Sequence, residues 1–256
     1  VTPEELVGRL LHVAREAGSI IMRHYAGPVA ARTKADQSPV TAADEEAEEF
    51  ILRHLREIAP AIPVLAEESA AAGRLPDLSS GTFFLVDPLD GTREFLDKNG
   101  EFTVNIALIE GGRPVAGTVC APAIGRMFFG WEGAAFEQSG GADGARPIRS
   151  RAPRTGALRA VASRSHRDPD TDRFLARHGV RDIVSAGSSL KFCLLAAGEA
   201  DLYPRMGPTM EWDTAAGHAV LLAAGGRVTL DDETTPLLYG KRDTGFRNPN
   251  FIAWGR

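Results

Sequence analysis

Apolar positions recur at helical spacing from the start of the chain. Leu6, Leu10, Val13, Ala17, Ile20 and Ile21 share one face, which predicts an amphipathic helix with that face buried. Thr2 offers a cap, Pro3 suits the first turn and Glu5 completes a capping box. Gly27-Pro28 ends the helix. A polar loop follows over residues 34–41. Thr41-Ala42-Ala43-Asp44 opens a second helix, whose stripe runs Ala43, Ala47, Phe50, Ile51, His54 and Ile58. Residues 63–66 read as a short strand ending at Glu67-Glu68-Ser69, and 70–81, rich in Ala, Gly, Ser and Pro, as a loop.

The apolar run Phe83-Phe84-Leu85-Val86 then stops at Asp87. Pro88 and Gly91 argue against any continuation of a strand, and a helix-compatible stretch occupies 92–97. Strand-like runs at 102–109, 115–120 and 127–131, the first two separated by Gly111-Gly112, predict a meander. Residues 140–144 with Arg146-Pro147 read as a turn cluster. The second half alternates: strand 158–162, helix 168–178, strand 183–185, helix 188–198, a strand end at 202–203, helix 211–224 stopped by Gly225-Gly226, and strand 228–230. Alternation argues for α/β packing. The expected class is α/β, with an α+β N-terminal half over 1–150 and an α/β C-terminal half over 151–256, the boundary falling in 150–155.

At 256 residues and 43% hydrophobic, the chain can bury a large core. A net charge of -5 disfavours a nucleic-acid polymer as partner. No apolar run approaches the ~20 residues of a membrane-spanning helix, and no secretory signal is visible near Val1. The two cysteines, Cys120 and Cys193, lie among apolar residues without metal spacing and read as buried free thiols of a reducing compartment.

Acids at element boundaries carry the candidate chemistry: Asp44, Glu67, Asp87, Asp90 and Asp213. Carboxylates without His or Cys beside them select hard cations such as Mg²⁺. Asp87-Pro88-Leu89-Asp90-Gly91-Thr92 spaces two acids so that both reach one metal pair, with the Leu89 carbonyl between them, and the Gly91 and Thr92 amides are free to meet phosphate oxygens. Each acid also has a bland reading: Asp44 and Asp213 as first-turn acids favoured by the helix dipole, Glu67-Glu68 as a solvated helix start. The spacing differs by one residue from the Asp-x-Asp-Gly-Thr pattern of haloacid-dehalogenase-type phosphatases, which disfavours a covalent aspartyl intermediate.

Taken together, Thr41-Ala42-Ala43-Asp44, Ala66-Glu67-Glu68-Ser69, Asp87-Pro88-Leu89-Asp90-Gly91-Thr92 and Trp212-Asp213-Thr214-Ala215-Ala216-Gly217 resemble, in order, the inositol monophosphatase superfamily of Mg²⁺-dependent, lithium-sensitive phosphatases. Gly187-Ser188-Ser189-Leu190-Lys191-Phe192-Cys193, Ala200-Asp201-Leu202-Tyr203-Pro204-Arg205 and Pro208-Thr209-Met210-Glu211-Trp212-Asp213, with Tyr239-Gly240-Lys241 and the stretch 246–251, are similar to its CysQ-type 3'(2'),5'-bisphosphate nucleotidases. The resemblance implies a layered αβαβα sugar-phosphatase fold. It implies one Mg²⁺ on Glu67, Asp87 and the Leu89 carbonyl, a second on Asp87, Asp90 and Asp213, and room for a third near Glu67. Thr92, linked to Asp44, would orient the attacking water, and the amides of Gly91 and Thr92 would hold the scissile phosphate. Gly187, Ser188, Lys191 and Arg205 are candidates for a second phosphate, with Arg164 and His166 as further ones; Lys191 also reads as a solvated helix charge and His166 as an exposed loop residue. Trp212 reads as packing. The implied activity is removal of the 3'-phosphate of adenosine 3',5'-bisphosphate, with its sulfated form as a further substrate. An inositol or sugar phosphatase, or a non-catalytic phosphonucleotide sensor, are the rival readings. A cytoplasmic monomer or homodimer acting on a small phosphonucleotide is expected, with peripheral association with the inner membrane allowed.

Overall fold

The computed structural model describes residues 2–34, 39–140, 144–153, 158–163 and 168–256. Arg164, His166, the centre of the 34–41 loop and part of the expected 150–155 boundary lie outside them. The elements run α1 (Pro3–Tyr25), β1 (Ala31–Thr33), β2 (Pro39–Thr41), α2 (Ala42–Ile58), β3 (Val64–Ala66), α3 (Glu67–Ala71), β4 (Thr82–Asp90), α4 (Thr92–Leu96), β5 (Thr103–Glu110), β6 (Arg113–Ala121), β7 (Arg126–Trp131), β8 (Ala134–Ser139), β9 (Arg146–Pro147), β10 (Arg159–Ser163), α5 (Pro169–Arg177), β11 (Asp182–Ala186), α6 (Leu190–Ala196), β12 (Leu202–Arg205), α7 (Ala215–Ala223), β13 (Arg227–Leu230) and β14 (Phe251–Trp254).

Two sheets stack with helices between and outside them. Strands β3 to β9 form a seven-stranded sheet in sequence order, antiparallel except for the β3–β4 pair. The second sheet has five strands in the order β11-β10-β12-β14-β13, with β10 parallel to β11 and β12 and β14 antiparallel to both neighbours. Helices α1 and α2 cover one face of the larger sheet, α7 covers the other, α6 lies between α7 and the smaller sheet, and α5 packs outside it. The expected αβαβα layering is the one observed. The layering also explains why 83–86 is apolar without alternation: Phe83 and Leu85 face α7, while Phe84 and Val86 face α1 and α2.

Small residues let the central layer close. A Cβ on Gly117 of β6 would lie 2.7 Å from the Ala216 carbonyl and 2.8 Å from the Ala219 methyl, so α7 rests directly on the sheet backbone. Among the described residues no helix is long and apolar enough to cross a membrane.

Several expectations need correction. The loop predicted over 34–41 starts just past β1 and ends in paired strand, since Pro39–Thr41 form β2 against β1. The turn cluster near 146 is edge strand, and β8 and β14 lacked a clean alternation to reveal them. The helix expected from 211 starts only at Ala215, so Asp213 sits in a turn ahead of it. Strand β4 also continues through Pro88. Asp87 pairs with Asn105 and Asp90 with Thr103, so three steps on β4 match two on β5. That bulge tolerates the proline, which has no N–H to lose from the ladder.

Candidate active site

The bulge settles the geometry of the two central acids. Residues three apart on a regular strand point to opposite faces. One extra residue restores parity, so Asp87 and Asp90 face the same side as Asn105 and Thr103. Both line a cleft of about 240 Å³, together with Glu67 from the start of α3 and Asp213 from the turn before α7. Asp87 Oδ1 accepts the Leu89 N–H at 3.0 Å. Asp90 Oδ2 accepts the Ser189 N–H at 2.6 Å and the Asn105 amide at 3.3 Å. Asp213 Oδ2 accepts the Met210 N–H at 2.8 Å. Glu67 meets the Lys34 ammonium at 2.7 Å, and Lys34 also reaches Glu68 at 2.6 Å.

Burial works against charge on every one of these acids. Desolvation, with the charges of Glu67, Asp90 and Asp213 added, pushes Asp87 well above the usual carboxylate range. Desolvation, with the charges of Asp90 and Glu67 added, does so for Asp213. Desolvation raises Asp90 against the pull of Lys191, and raises Glu67 against the pull of Lys34. Asp87 is buried and Glu67, Asp90 and Asp213 are half-buried; four such acids with oxygen-only donors fit a hard divalent cation, which would reverse this penalty. Among the described residues, however, no three acidic, His or Cys side chains already form a metal-holding group; Glu67 is paired with Lys34 while also meeting the Asp87 side chain.

Asp44 is fully buried and has two tasks. Its Oδ2 accepts the Thr41 N–H at 2.8 Å and the Thr41 hydroxyl at 2.6 Å, closing the capping box of α2. Its Oδ1 accepts the Thr92 hydroxyl at 3.3 Å. One oxygen thus serves the helix cap and the other faces Thr92. Gly91, the cap residue of α4, has φ +89°. An added Cβ there would be strained and would meet Glu94 Oε2 at 3.2 Å.

The second half supplies the cations. Lys191 of α6 is 5% exposed and lines the cleft. Its ammonium donates to the Ser188 carbonyl at 2.5 Å and to the Ala186 carbonyl at 3.4 Å, leaving one of three N–H groups. Burial pulls it down to about 8, against the pull of Asp90. Arg205 also lines the cleft and braces its own turn through Nε to Gly207 O at 3.2 Å and Nη2 to Pro208 O at 2.8 Å. Ser188 has φ 43°, and its buried hydroxyl meets no partner among the described residues, the combination of strain and an orphan polar atom that marks ligand sites. Gly187 does not line the cleft. It lets the segment lie against 101, since a Cβ there would stand 2.7 Å from Glu101 O. Trp212 is buried against Phe246, as expected of a packing residue.

Sequence reasoning passed over Ser189 and Asn105. Ser189 joins the two halves of the acid cluster: its N–H holds Asp90, and its hydroxyl donates to the Asp213 carbonyl at 2.6 Å while accepting from the Asn105 amide at 2.9 Å. The one legible signal was a lone Asn in the middle of a buried apolar strand. Lys34 was hidden in what looked like loop.

The chain matches the Inositol monophosphatase family over residues 3–252. It is 46% identical to the 3'(2'),5'-bisphosphate nucleotidase CysQ of Salmonella typhimurium, over 96% of this chain and 98% of that one. Among solved structures, CysQ from Bacteroides thetaiotaomicron, described as a bacterial member of that family, is 39% identical with a TM-score of 0.81, covering 97% of this chain and 96% of that one. An inositol monophosphatase from Anabaena is 26% identical with a TM-score of 0.77, covering 98% and 90%.

Proposed function

The chain belongs to the inositol monophosphatase family, and on that premise we propose that it removes the 3'-phosphate of adenosine 3',5'-bisphosphate, yielding AMP and inorganic phosphate. The family consists of metal-dependent phosphatases; that the ion here is Mg²⁺, with two or three bound, is part of the proposal. The observation that carries the reading is one cleft holding both an oxygen-only acid cluster and, across it, Lys191 and Arg205. The acids suit a metal and a phosphate, and the two cations suit a second phosphate.

Glu67, Asp87 and the Leu89 carbonyl would hold one ion, and Asp87, Asp90 and Asp213 another, with a third near Glu67. Bound there, the metals supply Lewis-acid polarisation of the phosphoryl oxygen and lower the pKa of water. The N–H groups of Gly91 and Thr92 hold the scissile phosphate. The Thr92 hydroxyl donates a hydrogen bond to Asp44, so its oxygen lone pairs are left to accept from the attacking water and fix it in line. Lys191 and Arg205, with the Ser188 hydroxyl, hold the 5'-phosphate. Residues 1–150 then act as the half that carries most of the metal ligands, and 151–256 as the half that brings Asp213 and sets specificity. The buried free thiols Cys120 and Cys193 suit a cytoplasmic setting.

The test is phosphate release with Mg²⁺ across adenosine 3',5'-bisphosphate, its sulfated form, inositol 1-phosphate and sugar phosphates. The bisphosphate should give the highest kcat/KM. Faster turnover of inositol 1-phosphate would move the chain to the inositol branch. Binding of metal and nucleotide without any phosphate release would make it a sensor. A hydroxylamine-sensitive phosphoenzyme would replace the in-line mechanism by a covalent aspartyl one.

A further inference from the structure

Helix α2 buries two acids one turn apart, Asp44 and Glu48, at 0% and 3% exposure. Asp44 has its partner in Thr92. Glu48 points at α3. Its Oε2 accepts the Glu68 N–H at 2.7 Å, and its Oε1 accepts the Ser69 N–H at 2.8 Å and the Ser69 hydroxyl at 2.6 Å. The need is local. Helix α3 is entered from Ala66, which offers no side-chain cap, so its first-turn amides require an acceptor from elsewhere. A carboxylate reached from another helix supplies it with three short charge-assisted bonds.

These bonds fix more than a helix end. Glu67 is the first residue of α3, and its neighbours 68 and 69 are the ones clamped. Residues i and i+4 of a helix lie on one face with Cβ atoms about 5–6 Å apart. One rigid turn of α2 therefore sets the distance between Thr92, through Asp44, and Glu67, through Glu48. We propose that Glu48 is a positioning residue that holds the Glu67 carboxylate in register with the Thr92 hydroxyl, so that metal and attacking water meet at the correct separation. The inference rests on the reading of Glu67 as a metal ligand.

The test uses the full chain with Glu48→Gln and, as a milder change from the other side of the clamp, Ser69→Ala. Mn²⁺ binding is titrated by electron paramagnetic resonance of the free ion, with kcat, KM and amide exchange at Glu68 and Ser69 measured alongside. The amide of Gln keeps one acceptor oxygen but turns a donor toward a backbone N–H. Mn²⁺ affinity should fall about 10–100-fold, as for other groups that orient metal ligands. At saturating metal the KM for the bisphosphate should be unchanged, and the amides of 68 and 69 should exchange faster. Ser69→Ala should move the same quantities less, and it decides the matter should Glu48→Gln fail to fold. Unchanged Mn²⁺ affinity in a folded variant, with the wild type binding Mn²⁺ normally, overturns this inference alone. A wild-type protein that binds no Mn²⁺ overturns the metal reading and this inference with it.

Discussion

At the residue scale, neighbouring charge decides what each acid can do. Asp90 sits between the Lys191 ammonium, which favours its charge, and a desolvated setting that opposes it. Asp90→Asn removes a charged ligand while keeping the shape, and kcat should drop roughly 10³-fold; near-normal phosphate release would take Asp90 out of the metal site. Lys191 gives a second expectation. Truncation to Ala removes one charge-assisted bond, worth about 1.5–3 kcal/mol, so KM for the bisphosphate should rise about 10–100-fold. Adenosine 3'-monophosphate, which lacks the second phosphate, should be turned over as before, and equal losses on both substrates would place Lys191 at the scissile phosphate instead. Because Lys191 is drawn down to about 8, its ammonium is present below that pH and lost above it. Bisphosphate kcat/KM should therefore fall on the alkaline side of pH 8 more steeply than that of the monophosphate. Asp44, Glu67, Asp87, Asp90 and Asp213 were each legible as an acid next to an apolar or helical stretch. Their convergence was legible only through resemblance, since they lie in four segments.

At the element scale, two features position the site: the bulge in β4 and the seating of α7. The motif 87–92 announced a break, and the break proved to be one extra residue inside a continuing strand. A local pattern of Pro and Gly does not distinguish the two, because the difference depends on whether β5 is there to pair. Helix α7 rests on Gly117. Gly117→Ala should overpack that contact and cost about 1–3 kcal/mol, and at about 2–4 °C per kcal/mol for a chain of this size the melting temperature should fall accordingly. An unchanged midpoint by calorimetry would mean that α7 can slide without strain. The turn that carries Asp213 is braced beneath by Asn248, whose amide donates to Thr214 Oγ1 at 3.0 Å, and by the Tyr239 hydroxyl, which donates to the same oxygen at 3.2 Å. None of this network could be paired from sequence, because Thr214 and Asn248 stand 34 positions apart.

At the scale of the whole molecule, the desolvated acids of the cleft cost the metal-free protein stability at neutral pH. Their native pKa values are raised, so the unfolded chain releases protons first as pH rises, and stability is lost over that interval. A divalent ion that binds only the native state should recover it. At a concentration of about 100 Kd the gain is about 2.7 kcal/mol, which at about 2–4 °C per kcal/mol raises the melting temperature by about 5–10 °C. No shift with Mg²⁺ or Mn²⁺ would argue against the metal site. His218 works on the acid side. Buried beside the Tyr239 hydroxyl at 2.9 Å, it is pushed by desolvation down to about 3. Its native pKa lies below the unfolded value, so its contribution is full above pH 6.5 and shrinks as pH falls toward 3. At pH 5 the loss is about 2 kcal/mol relative to neutrality. The stability difference between wild type and His218→Gln, from urea titrations, should shift by that amount between pH 7 and 5; a constant difference would mean that His218 takes up its proton in the fold at the same pH as in the unfolded chain. What the sequence determined by itself was local and periodic: the amphipathic helices, the apolar strand at 83–86, the free thiols, and the set of acids at element ends. These depend on neighbours within a few residues, where pattern and propensity act directly. The tertiary structure alone decided which acids face one cleft, through the parity of the β4 bulge. It alone joined Asp90 to Asp213 through Ser189 and Asn105, and gave Glu48 its hold on α3. Those contacts link residues 15 to 99 positions apart, and only the stacking of the layers brings them within hydrogen-bond reach.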